Sequence, residues 1–139
     1  MNTMSIKKIN PPALLKFDAL AQVVVAEGAG STVYIAGQSA YTNTFELVGA
    51  GDYRAQTTQA LHNLRIAVEA AGGTVNDIVS STVYIRGLNA QASEQVMTAM
   101  ATAIDGEPFP AHAFSLIGVE ALSGPDLLVE ISAIAVLKE

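Results

Sequence analysis

Apolar residues in this chain recur with two different periods, and the switches between them mark out the elements. Gln22-Val23-Val24-Val25-Ala26 and Thr32-Val33-Tyr34-Ile35-Ala36 are β-branched runs that read as strands. Glu27-Gly28-Ala29-Gly30-Ser31 between them is a turn by its glycines, so the two strands are expected to form a hairpin. After a polar, Gly-containing loop from Thr42 to Gly51, the period changes. Leu61, Leu64, Val68 and Ala71 fall on one helical face behind Asp52, an N-cap residue type, and Gly72-Gly73 supplies the stop. Ile78 to Ile85 returns to strand alternation. Val96, Met97, Met100 and Ile104 line a second helix over Ala90–Ile104, ended by Asp105-Gly106 and the extended Pro108 and Pro110. Ala113–Val119 is a strand, Ser123-Gly124-Pro125-Asp126 a turn, and Leu127–Val136 a last, strongly apolar strand.

The predicted order is strand, strand, helix, strand, helix, strand, strand. Two helices cannot cover both faces of such a sheet, so both pack on one face in an α+β sandwich. The other face then meets water or a second subunit. The strands carry so many apolar residues that a subunit is expected.

Composition narrows the function. The chain has 139 residues, of which 50% are hydrophobic and 14% charged, which fits one domain over 1–139 with part of its surface covered by oligomerisation. Its net charge is -6, and its few Lys and Arg are scattered, so no nucleic acid partner is expected. The absence of cysteine removes thiolate metal sites and a Cys nucleophile. Met1–Asn10 lacks the apolar core of a signal peptide and no run approaches membrane-spanning length, so a cytoplasmic protein without membrane contact is expected. His62 lies mid-helix, far along the chain from His112, and two such histidines make no metal site. One charge stands out. Glu130 sits inside the last apolar strand, where an unpartnered carboxylate is costly. It must be paired, solvated in a pocket, or protonated.

Several segments in order resemble the Rid family, the reactive-intermediate deaminases also called the YjgF/YER057c/UK114 group. They are Val33-Tyr34-Ile35-Ala36-Gly37-Gln38, Ala55–Leu64, Val68-Glu69-Ala70-Ala71-Gly72, Asp77–Ile85, Phe109-Pro110-Ala111 and Val129-Glu130-Ile131. The resemblance implies a chorismate-mutase-like single sheet with two helices on one face. It also implies a homotrimer with a small-molecule ligand in the clefts between subunits, and no metal or organic cofactor. Deaminating members hydrolyse imines to a keto acid and ammonia. In them a Glu on the last strand lies near the attacking water, and an Arg in a Pro-Ala-Arg-Ser segment grips the substrate carboxylate.

This chain departs at the Arg. Aligned on Pro110-Ala111 the position is His112; aligned on the following strand it is Phe114. The serine that follows becomes Ala113 or Ser115, the tyrosine before Gln22 becomes Leu20, and an asparagine of the second helix becomes Gln95. Glu130 and Gly37 remain, with Gln38 beside them. The candidate site is therefore Glu130 and His112 for catalysis, with Phe114, Ser115, Leu20, Gly37, Gln38 and Gln95 as substrate-binding residues. As imidazolium near Glu130, His112 would hold an anion; neutral, it would relay a proton. The plainer alternative is a loop histidine with one backbone hydrogen bond. A Phe114 at the Arg position would make the pocket apolar and favour a larger ligand. Two functions stay open: a hydrolase acting on a C=N or enamine group with altered specificity, and a non-catalytic trimer that binds a metabolite. The ribonuclease activity attributed to some members is opposed by the acidic charge.

Overall fold

The computed structural model describes residues 4–138 apart from 15, 17 and 29. In chain order the elements are β1 (Ser5–Ile9), β2 (Val23–Glu27), β3 (Gly30–Gln38), α1 (Tyr53–Ala70), β4 (Ile78–Arg86), α2 (Ala90–Thr102), β5 (Ala113–Val119) and β6 (Val129–Lys138). Four strands form a mixed sheet in the order β3-β6-β4-β5, and β1 and β2 form a separate two-stranded ribbon. β4 and β5 run parallel because α2 crosses over between them. Among the described residues, no helix is long and apolar enough to cross a membrane.

Local chemistry sets the helix ends. The Asp52 side chain accepts the Ala55 N–H at 3.0 Å, capping α1, and Asn89 does the same for α2 through the Ala92 N–H at 2.8 Å. Beyond α1 the chain takes φ 96° at Gly72, and the Gly73 N–H returns to the Val68 carbonyl at 3.0 Å. Both helices pack on one side of the sheet. Leu61, Leu64 and Val68 of α1 and Val96 and Met100 of α2 meet Val83 and Ile85 of β4 and Val129, Ile131, Ala133 and Ala135 of β6. Each large side chain buried here contributes about 1.5–3 kcal/mol of transfer free energy.

The expected β2–β3 hairpin does not form as a pair. β2 pairs with β1, Ile6 opposite Ala26 and Lys8 opposite Val24, while β3 pairs with β6. Sequence adjacency favours a hairpin, but the last strand is the most apolar in the chain and takes the central place between β3 and β4. Ala29 of the predicted turn lies outside the described residues. The last strand, expected at Leu127–Val136, runs Val129–Lys138; Leu127 is buried in the turn before it. α2 ends at Thr102, two residues short of the predicted Ile104.

Candidate functional site

Residues paired across a sheet point to the same side, and successive residues along a strand alternate. β6 obeys this through its whole length: Val129, Ile131, Ala133, Ala135 and Leu137 are buried, while Glu130, Ser132, Ile134 and Val136 are half-buried on the opposite face. The strand read from sequence as a uniformly apolar run is thus two-sided. Glu130 sits on the face that no helix covers.

The register builds that face in rows. Ile117, Tyr84 and Glu130 stand across β5, β4 and β6, and Ser115, Thr82 and Ser132 form the next row. Tyr34 of β3 faces Ile134. Tyr34 is 79% exposed and Ile117 is 42% exposed, so the two outer strands carry much apolar area on this uncovered face.

Around Glu130 the geometry is specific. The Ser39 hydroxyl donates to Glu130 Oε1 at 3.3 Å. Ser39 is itself placed by Asn63 of α1, whose side-chain amide donates to the Ser39 carbonyl at 2.9 Å and to the Tyr41 carbonyl at 3.0 Å. Gly37 lies directly against the carboxylate. A Cβ there would come within 2.4 Å of Glu130 Oε2, so the absent side chain is what gives the carboxylate its room. The β3–β6 register shifts between Ile35 and Gln38, which accommodates this contact. A hollow of about 470 Å³ opens beside the carboxylate, bordered by Gly37, Tyr84, Val119, Ala121, Leu122, Ser123, Glu130 and Ser132. No ion pair of Glu130 occurs among the described residues.

The other candidates divide. Gln38 follows Gly37, pairs with Ile131 and donates from its side chain to the Ala36 carbonyl at 3.0 Å. Leu20, Phe114 and Ser115 border a second hollow together with Ser80 and Thr82. Ser115 shares the Glu130 face, two strands away from β6. Phe114 is turned toward the helices and packs against the core. Gln95 lies in the helical layer, in a hollow with Gly51–Tyr53 and Asn89.

His112 is 1% exposed, inside the fold. Its ring stacks edge-on against Phe109 and tilts toward Phe114, with centroids 5.6 and 5.5 Å away. Burial holds its pKa below the ordinary histidine value, against a raising effect of the Pro110 carbonyl and with a further lowering by Lys8. In the neutral ring, Nδ1–H donates to that carbonyl at 2.8 Å, which leaves Nε2 to accept the Ser81 hydroxyl at 2.7 Å. Ser81 points to the helical side of β4, as Phe114, its register partner, does. An imidazolium beside Glu130 is therefore not the arrangement within one chain. The backbone of His112 also receives the Ala21 N–H at 3.0 Å, fixing Leu20 beside it. Both sequence alignments of the Arg position thus lead to the helical side of the sheet. Tyr84, Ser132 and Ser39 were not anticipated. The alternation of β4 and β6 carried a signal for the first two, and nothing local marked Ser39.

Fold and site define an α+β sandwich whose open sheet face carries one carboxylate in a partly apolar hollow. Comparison with known proteins agrees. A family model described as Endoribonuclease L-PSP matches residues 14–137. The chain is 36% identical over 108 residues to a RutC family protein of Pyrococcus horikoshii, covering 77% of this chain and 80% of that one. It is 35% identical over 111 residues to a 2-iminobutanoate/2-iminopropanoate deaminase of Dermatophagoides farinae, covering 78% and 80%. The crystal structure of YyfB from Yersinia pestis, a Rid family protein of unknown function, superposes with a TM-score of 0.83 at 35% identity, over 95% of this chain and 98% of that one. The chain belongs to the Rid (YjgF/YER057c/UK114) family.

Proposed function

We propose that the chain is an imine or enamine hydrolase, releasing ammonia, that works in clefts between the subunits of a homotrimer. The observation that carries this is Glu130: a carboxylate on the open sheet face, bonded to Ser39, given room by Gly37 and fronting a hollow. Family membership supports deamination at the level of the family, and the 35%-identical relative bears the name of an imine deaminase. In the proposed reaction Glu130 accepts a proton from water as the water oxygen attacks the C=N carbon, then returns it to the departing nitrogen. The exposed Tyr34 and Ile117 on the same face favour its burial against a second and third copy. Specificity differs from members with the pocket Arg, since His112 and Phe114 both turn to the helical side.

The test is ammonia release from imines generated in situ from a panel of amino acids and amines, on protein whose mass in solution is measured alongside. A trimer that accelerates hydrolysis, with Glu130→Gln losing about 10²–10⁴-fold, is the expected result. A monomer, or equal rates for wild type and variant, refutes the reading. The same loss of an Arg-bearing position on the open face favours the alternative of a non-catalytic trimer that binds a metabolite; the absence of any accelerated imine would establish it over catalysis.

A further inference from the structure

The charge distribution around the hollow points to a class of substrate. Among the described residues that border it, Glu130 is the one charged side chain. The nearest base along β4 is Arg86, two residues past Tyr84, and its Nη1 donates to the Pro125 carbonyl in the turn before β6. Arg86 does not border the hollow. Tyr84 stands directly opposite Glu130 in the register and on the same face. Val119, Ala121 and Leu122 give the hollow an apolar part, beside the hydroxyls of Ser123 and Ser132. A carboxylate, an aromatic ring and an apolar part around one hollow form a receptor for an organic cation.

We propose that this site takes a protonated imine with an apolar substituent and no carboxylate, R–CH=NH2+, the imine of a primary amine rather than of an amino acid. The inference rests on the hydrolase reading above and adds the charge of the substrate to it. The iminium nitrogen lies toward Glu130 and the Tyr84 ring, and R lies against Leu122. Water attacks the imine carbon and the C=N π pair moves to nitrogen. Glu130 takes one proton of the water, the C–N bond of the carbinolamine breaks as nitrogen accepts that proton, and the carbinolamine hydroxyl loses its proton. The sum is R–CH=NH2+ + H2O → R–CHO + NH4+, balanced in atoms and charge. A 2-imino acid would bring its carboxylate beside Glu130, and none of the residues with which one subunit borders the hollow is a cation to receive it.

Two measurements on the assembled protein test this. Imines of matched side chain are generated from benzylamine and from phenylglycine, and hydrolysis is followed by the rate of ammonia release above the uncatalysed rate. The amine-derived imine is expected to be hydrolysed with kcat/KM at least about tenfold above the imino acid, the scale of one uncompensated charge contact near a protein surface. Equal or reversed preference overturns the proposal. Calorimetric titration with benzylamine and with phenylacetate then reads charge preference without turnover. Benzylammonium binding that Glu130→Gln abolishes supports the proposal even where no imine is hydrolysed, an outcome that would sink the hydrolase reading alone. Tighter binding of phenylacetate, or binding of neither probe, overturns the cation site.

Discussion

Substituting Gly37 with Ala adds one methyl group to the molecule at its most sensitive point. The new Cβ would lie 2.4 Å from Glu130 Oε2, 2.7 Å from Cδ and 3.0 Å from Cγ. Ordinary carbon contacts begin near ~3.5 Å, so the carboxylate must retreat by about 1 Å. It can do so, because all three atoms belong to one side chain at the edge of a hollow rather than to the backbone. The backbone also tolerates the change, since Gly37 is not among the residues with positive φ. The retreat breaks the bond from Ser39, a loss of about 0.5–1.5 kcal/mol, while Gly→Ala restricts the unfolded chain and returns about 0.4–1 kcal/mol. Stability is therefore nearly unchanged, with a melting shift within about 5 °C for a domain of this size. Activity is not. In the proposed reaction Glu130 meets a water and a C=N carbon, and its displacement by about 1 Å is expected to cost about 100-fold in rate. The assay is kcat/KM for the best imine of the panel, beside thermal melting and mass in solution. An unaltered kcat/KM would refute the placement of Glu130 in the chemistry. A melting point that falls by tens of degrees would refute the claim that the carboxylate is free to move.

Two further expectations concern the frame around the site. Because burial lowers the pKa of His112, the unfolded chain takes up that proton first as pH falls; stability then declines from about pH 6.5 down toward the folded value, by at most about 1.4 kcal/mol per pH unit, and is flat above that window. His112→Phe should remove this slope from denaturant titrations at a series of pH values, and an unchanged slope would show that His112 does not titrate between the two states. Gln56, fully buried in α1, accepts the Leu128 N–H at 2.9 Å and donates to the Asp126 and Gly49 carbonyls at 3.0 and 3.2 Å, holding the turn that leads into β6. Gln56→Leu should cost about 3 kcal/mol through the buried groups it leaves unpaired, read as a lower denaturant midpoint at constant m; a change under about 0.5 kcal/mol would mean that water or a shifted backbone satisfies them.

The sequence by itself determined what depends on near neighbours. Helical spacing of Leu61, Leu64 and Val68, the cap at Asp52 and the glycines after α1 are satisfied within a turn or two of chain, so α1, β4 and β5 were legible almost to the residue. Glu130 was legible as an anomaly, because a carboxylate in an apolar strand demands an explanation wherever the strand lies. The segment β1 was missed, since Ser5–Ile9 is short, polar in its middle and orders only by pairing with β2. The direction of the Arg-equivalent position was decided by the tertiary structure alone. His112 and Phe114 are two residues apart and so share a face under either alignment, but which face is core depends on where the helices dock. Ser39 and Glu130 are 91 residues apart, and Tyr84 meets Glu130 only through the β4–β6 register. Contacts of that kind exist only once non-local strand pairing has fixed the register, which no local pattern encodes.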